Sequence, residues 1–340
     1  MKLKQPVKNI DLDKKVFAAS AADFEELALE LFQFQYQNNT VYRQYCDIIK
    51  TNIDAVDTIT KIPFLPVSFF KTHEIKTTVF ESEVVFESSG TTNTINSKHF
   101  VKDLALYKNS FILAFEKFYG SPKNWCIIGL LPSYLEKGNS SLVLMVDELV
   151  KSSNNPLSGF YLYDTEKLHR TLIHNEFAKK PTLLIGVTYA LLDFAEKYTM
   201  QLRHTVIMET GGMKGRREEM TRKQVHEILQ KQLGVSLVHS EYGMTELLSQ
   251  AYSKGDGIFH CPGWMKILLR EEDDPLTVYT NDPAAEQSIT GVINIIDLAN
   301  IYSCAFIAVD DAGRLHSNGS FEVLGRIDNS DIRGCSLMVL

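Results

Sequence analysis

Residues 86–99, FESSGTTNTINSKH, set Ser88, Ser89, Gly90, Thr91 and Thr92 in a row. Small consecutive residues let backbone N–H groups converge on one point, as in an anion nest. The serine and threonine hydroxyls add donors that fit around phosphate oxygens, and Lys98 can add a point charge. The same composition also suits a Ser/Thr-rich surface turn, although this one follows an apolar run, EVVF (83–86). A second group, HSEYGMTE (239–246), offers Glu246 as an oxygen ligand for a hard cation such as magnesium. Beside it, Thr245 can bond a phosphate or a carboxylate, and Tyr242, followed by Gly243, can present a flat face to a purine. A helix N-terminus capped by Thr245 fits that stretch equally well.

Three further segments have the same character. In METGGMKGR (208–216), Gly211 and Gly212 permit close approach of backbone to a flat ligand, or form a plain strand–helix turn. In IIDLAN (295–300), Asp297 follows an apolar run and can accept hydrogen bonds from a ribose diol, or cap a turn. GRIDNSDIRGCSLM (325–338) gathers Arg326, Asp328, Arg333 and Cys335. Arg326 can hold a phosphate or ribose through its fork of donors, unless the segment is a solvated charged tail.

The elements that must position these groups are legible as an alternation. EVVF, WCIIGLL (125–131), TLLIG (182–186) and TVIM (205–208) are short apolar runs, as in strands covered on both faces. Helical spacing fills 101–118, 140–150, 165–179, 188–198 and 216–232 between them. Strand–helix alternation predicts an α/β body with parallel or mixed sheets and crossover helices. The first 60 residues read as helical, with Ser20 or Asp23 as a cap, and IPFLPVSFF (62–70) as an extended buried connector. After residue 262 the runs WMKILLR, LTVYT, GVINIID, CAFIAVD and SFEVLG are strands with short turns such as DDAG (310–313). This β-rich C-terminal third is expected to be a smaller antiparallel or barrel-like portion. The expected organisation is one large domain over 1–324, with a β-rich subdomain at about 262–324, and a tail over 325–340 carrying Cys335.

Composition narrows the function. A net charge of −7 over 340 residues argues against a nucleic-acid surface. No apolar run is long enough for a membrane span, and the start, MKLKQPVKNIDLDKK, has no apolar core of a signal peptide. Five well-spaced cysteines without a CxxC pair fit reduced thiols in the cytoplasm and not a zinc site.

Taken in order, these segments resemble the adenylate-forming superfamily of acyl-CoA synthetases, luciferases and peptide-synthetase adenylation domains. SSGTT is similar to its phosphate loop, YGMTE to its Tyr-Gly-x-Thr-Glu motif, Asp297 to its ribose-binding aspartate and GRID to the arginine segment at its hinge. Gly211 and Gly212 fall where the family lines adenine. The loop departs from the family at Asn93, where glycine is usual, and in the displaced Lys98. LPSYLEKGNSSLVLMVDEL (131–149), IIDLANIYSCAF (295–306) and DIRGCSLM (331–338) resemble most the LuxE-like acyl-protein synthetases, which also lack the superfamily's C-terminal small domain. The resemblance implies an ATP- and magnesium-dependent ligase. A fatty or aryl carboxylic acid would become an acyl-adenylate, then pass to Cys335 and on to an acyl-accepting protein or reductase. Arg333 would favour the thiolate of Cys335, and Tyr134 would wall the acyl pocket. Two alternatives stay open: a ligase whose acceptor is coenzyme A or a carrier protein, and a non-catalytic partner that binds acyl groups or nucleotide.

Overall fold

The computed structural model describes residues 12–89, 95–132, 138–211, 220–284 and 287–327. The N-terminal segment folds into α1 (Leu12–Ala18), α2 (Phe24–Asn38) and α3 (Thr40–Ile48). Asp23 sits at the N-cap of α2, but its carboxylate accepts from the backbone N–H and hydroxyl of Ser20 rather than from the helix. The connector expected over 62–70 is extended and mostly buried only as far as Pro66, because a turn at Val67 and Ser68, with Ser68 exposed, leads into a helix. Within it β1 (Leu65–Pro66) lies parallel to a later strand, and α4 (Phe69–Thr72) follows.

A hairpin comes next: β2 (Val84–Glu87) and β3 (Lys98–Val101) pair antiparallel in a sheet of their own. The run EVVF is therefore not a strand covered on both faces. Val84 and Val85 are partly exposed, and only Phe86 is buried in this strand. The reason is positional, since the hairpin lies against the main body instead of inside its sheet, with Phe86 meeting Tyr107 edge to face.

The body alternates as the sequence pattern predicts. α5 (Leu104–Tyr119), β4 (Cys126–Leu130), α6 (Ser141–Ser153), β5 (Gly159–Phe160), α7 (Thr165–Phe177), β6 (Thr182–Gly186), α8 (Thr188–Lys197), β7 (Thr205–Glu209), α9 (Arg222–Leu233) and β8 (Val238–Tyr242) follow in turn. β8, β7, β6, β4 and β5 run parallel, side by side. Local chemistry sets the helix ends. The Asp103 carboxylate accepts from Ala105 N–H, Thr221 and Gln224 form a capping box, and Gly234 closes α9 at φ 68°. Every residue of β4 and β6 is buried because helices cover both faces. α5 and α6 share one core with Ile127 and Ile185, while α7, α8 and α9 share another with Ile128 and Leu184.

The last third contributes β9 (Ala251–Ser253), β10 (Ile258–His260), β11 (Met265–Arg270), β12 (Val278–Tyr279), β13 (Ile289–Asp297), β14 (Phe306–Leu315) and β15 (Phe321–Arg326). It is antiparallel, as expected, but it is no separate barrel. β9 pairs with β8, and the order β12-β11-β13-β14-β15-β10-β9-β8-β7-β6-β4-β5 makes one continuous sheet. DDAG (310–313) is not a turn either, because it lies inside β14. Asp311 and Ala312 pair with Arg326 and Gly325, and a register shift follows at Gly313. A Cβ on Gly313 would stand 2.6 Å from the Ile293 side chain, so this glycine serves close strand approach. Gly325 and Arg326 complete β15, so position 325 falls within a strand. No helix among the described residues is long and apolar enough to cross a membrane.

Candidate functional site

In an open α/β sheet the carboxyl ends of parallel strands are where ligands bind, and most of the singled-out residues that are described lie there or face it. Tyr242 ends β8, and the chain from Gly243 to Gln250 turns back as β9 without forming a helix. Thr245 is therefore no helix cap. Its carbonyl accepts a hydrogen bond from Nδ1 of His99 at 2.8 Å. His99 stands on β3, so this bond ties the hairpin that carries the serine–threonine loop to the Tyr242–Glu246 turn. Burial keeps the His99 imidazole neutral, with its pKa pulled down to about 4, and Nδ1–H is the donor the carbonyl requires.

Glu246 is 1% exposed, and neither of its carboxylate oxygens has a hydrogen-bond partner among the described residues. Its backbone is fixed by the Asn300 amide, which donates to the Glu246 carbonyl at 2.8 Å. A buried carboxylate left unpaired is costly, and a cation is the simplest group that would relieve it. Among the described residues no cluster of His, Cys, Asp and Glu would hold a metal by itself. Glu246 thus suits magnesium, which is commonly held by one or two carboxylates with the rest of its shell from phosphate and water.

At the end of β8, the Tyr242 hydroxyl donates to Asp311 at 2.8 Å, and its ring meets Phe259 and Phe321 at 5.9 and 5.6 Å. Arg326 Nε lies 3.4 Å from the second Asp311 oxygen. Tyr242, Asp311 and Arg326 thus form one group of ring, acceptor and cation. The sequence reading missed Asp311, placing it in a turn.

Asp297 is the matching correction. It is fully buried, and its carboxylate accepts from Leu248 N–H at 2.8 Å, Ser249 N–H at 3.0 Å, Ala299 N–H at 3.2 Å and the Ser249 hydroxyl at 2.5 Å. Burial raises its pKa to about 6 although these donors pull the other way. A carboxylate committed in this way has no face for a ribose. It fixes the chain that follows Glu246 instead.

Ser88 is buried, and its hydroxyl accepts from Ser97 N–H at 2.9 Å, closing the neck of the hairpin loop, while Ser89 is exposed. Lys98 is half exposed and stands 3.8 Å from the Glu87 carboxylate. Gly211 adopts φ 73°, where a side chain would be strained, and its N–H donates to Glu209 at 2.7 Å. Gly90, Thr91, Thr92, Gly212, Tyr134, Arg333 and Cys335 lie outside the described residues.

Glu209, another residue the sequence reading missed, ends β7 in a buried cluster. Arg222 Nε and His226 Nε2 stand 3.5 and 3.7 Å from one oxygen, and the Thr188 hydroxyl and Gly211 N–H reach the other. Burial pushes this carboxyl up, but the His226 hydrogen bond, the Arg222 charge and the Ser240 hydroxyl outweigh it and hold the pKa down at about 2. A carboxylate depressed from its ordinary value of 4.5 contributes stability that is present above that value and lost as pH falls toward 2. We expect wild-type stability to fall over this acid window more steeply than that of Glu209→Gln. Urea unfolding at several pH values reads it, and parallel pH curves would remove Glu209 from the account.

The comparisons with known proteins agree with this architecture. The family model described as "Acyl-protein synthetase, LuxE" matches residues 10–340. The long-chain-fatty-acid–luciferin-component ligase of Aliivibrio fischeri is 24% identical over 378 residues, covering 99% of this chain and 95% of that protein. Among solved structures, ATP-bound MatB from Rhodopseudomonas palustris aligns with a TM-score of 0.52 at 15% identity, covering 74% of this chain and 50% of that one. A 2-hydroxyisobutyryl-CoA ligase in its postadenylation state aligns with a TM-score of 0.64 at 11% identity, covering 97% and 74%. The chain spans about half the length of MatB. At such identities these two likenesses speak for a shared fold, that of the large N-terminal-type body of the adenylate-forming ligases.

Proposed function

The chain belongs to the LuxE family of acyl-protein synthetases, and from that premise we propose that it joins a fatty acid to ATP and then hands the acyl group to a thiol. The carboxylate oxygen attacks the α-phosphorus, the bond to the bridging oxygen breaks, and pyrophosphate leaves. The product is an acyl-adenylate. The Cys335 thiolate then attacks the acyl carbonyl, AMP leaves, and a thioester remains, which splits one transfer into two easier steps. A partner protein is the proposed final acceptor.

The residues singled out each have a part in this scheme. The loop from Ser88 through Thr92 would cradle the triphosphate. Thr245 would orient the acid's carboxylate or the α-phosphate. Glu246 would hold magnesium, whose charge offsets that of the phosphates. Asp311 takes the ribose role first expected of Asp297, with Arg326 beside it, and Tyr242 with Gly211 and Gly212 would line the adenine. Alignment and charge neutralisation are what the reaction needs, since a carboxylate is a poor nucleophile toward a polyanion.

The observation that carries this reading is the orphaned carboxylate of Glu246, in the turn that follows Tyr242 of the Tyr242–Asp311–Arg326 group and is tied at Thr245 to His99 of the hairpin. Intact-mass measurement tests it. With ATP, magnesium and a fatty acid, the wild type should gain the mass of one acyl group, and Cys335→Ala should not. Formation of acyl-CoA that is indifferent to Cys335→Ala would favour a coenzyme A ligase instead.

A further inference from the structure

Successive residues of a strand point to opposite faces, so β8 divides two environments at its carboxyl end. Tyr242 reaches toward Asp311, and Glu241 reaches the other way, toward α5. Glu241 pairs in register with Tyr252 of β9. A Cβ on Gly243 would run into a Glu241 carboxyl oxygen and stand 3.2 Å from Gln250 Cγ, so Gly243 leaves the room that the carboxyl and Gln250 share. Tyr119 of α5 closes the far side, with its ring 5.5 Å from that of Tyr252 and its hydroxyl 3.1 Å from His239.

Three polar groups converge here: the Tyr252 hydroxyl, Gln250 Oε1 and the Glu241 carboxyl. The Tyr252 hydroxyl and Gln250 Oε1 are in residues 1% and 3% exposed, and neither has a hydrogen-bond partner among the described residues. The Glu241 carboxyl, in a partly exposed residue, has no hydrogen-bond partner among the described residues. Buried polar groups are ordinarily satisfied, so the Tyr252 hydroxyl and Gln250 Oε1, with the partly exposed Glu241 carboxyl beside them, point to something that comes from outside.

We propose that Glu241, Gln250 and Tyr252 form a polar subsite that recognises a hydroxyl group on the chain of the carboxylic acid substrate. This rests on the adenylation reading for the identity of the ligand, because the nucleotide side of β8 is the Tyr242 side and the acid must approach from the other. The donor and acceptor pattern selects the ligand group. Gln250 offers an acceptor, and Tyr252 offers both functions. Burial, with the Glu209 charge adding to it, pushes the Glu241 carboxyl up to about 8, so at neutral pH it too can donate and accept. A hydroxyl that gives one bond, to Gln250, and receives two, from Tyr252 and Glu241, satisfies this set, whereas a plain alkyl chain strands it. The titratable groups around the carboxyl are Tyr107 of α5, Tyr252 of β9, Glu209 of β7 and His239 on its own strand, the last held neutral by burial and Lys254 with a pKa of about 4.

The test is calorimetric binding of a straight-chain fatty acid and its monohydroxylated positional isomers without ATP, with pyrophosphate exchange measured separately. One isomer should bind on the order of 10²-fold tighter than the parent acid, about a tenfold gain for each of two well-made hydrogen bonds. Glu241→Leu and Tyr252→Phe should reduce that preference to about threefold or less, since the hydroxyl then lacks its partners, while Glu241→Gln, which keeps donor and acceptor, should retain it. The wild-type preference should decline above pH 8, where the carboxyl ionises, and that of Glu241→Gln should not. Equal binding of all isomers and the parent by the wild type overturns the subsite, whatever the exchange assay shows. Exchange absent with every acid, beside a clear binding preference, leaves the subsite standing and overturns the adenylation reading.

Discussion

Glu246→Gln should lose about 10²- to 10³-fold in ATP–pyrophosphate exchange, the scale seen when a group that stabilises transition-state charge is removed, while the folded protein becomes no less stable. The two effects have opposite signs for one reason. Glu246 is 1% exposed and its carboxylate oxygens have no partner among the described residues. Such a charge costs folding free energy, and replacing it with a neutral group of the same shape relieves that cost, by about 1 kcal/mol or more. A residue that destabilises the fold is retained where function needs it. Ligand linkage sharpens the experiment. Magnesium and ATP at about 100 times the dissociation constant stabilise a protein by about 2.7 kcal/mol, so the wild type should melt higher in their presence and Glu246→Gln should show little of that shift. Exchange at the wild-type rate, or a lower melting temperature without ligand, would remove Glu246 from the cation site.

The layered α/β body could be read from the sequence because helices and parallel strands differ in period and length. The spans around Leu104–Tyr119, Thr165–Phe177 and Thr188–Lys197 were visible within a few residues at each end. What could not be read was which way a polar residue beside an apolar run points. Asp297 and Asp311 both belong to strands rich in buried apolar side chains, yet one is enclosed by backbone donors and the other stands between Tyr242 and Arg326. Local pattern carries no information about that difference, because the groups that decide it come from elsewhere in the chain. For Asp297 they are Leu248 and Ser249; for Asp311, Tyr242. The turn first read at DDAG fails in the same way. Gly313 is required by the Ile293 side chain across the sheet and not by the bend of its own backbone. His99 was overlooked because its partner, the Thr245 carbonyl, is a main-chain atom 146 positions away.

That difference between the two aspartates yields the second large effect. Asp297→Ala should destabilise the protein by about 3–5 kcal/mol, the range for breaking a buried charged network, because it strands the N–H groups of Leu248, Ser249 and Ala299 and frees the Ser249 hydroxyl. Against a typical total of about 5–15 kcal/mol this is a large share. Asp297→Asn keeps the shape and one acceptor oxygen, so its cost should be smaller, about 1–2 kcal/mol, and a folded protein should be recovered. The Ser249 hydroxyl also accepts from Trp264 Nε1 at 3.0 Å and lies 3.0 Å from the Ser110 hydroxyl, so the disturbance should reach α5 and β11. Leu248 and Ser249 follow Glu246 closely in the chain, which makes Asp297 a positioning residue for the turn that carries it. Urea unfolding measures the stability, and exchange kinetics on Asp297→Asn separate the two readings of the carboxylate. A group that bound ribose would raise the KM for ATP and leave stability nearly untouched. A group that holds the turn does the reverse: stability falls, the turnover rate drops as Glu246 loses its fixed place, and the KM for ATP moves far less than it does in Asp311→Asn.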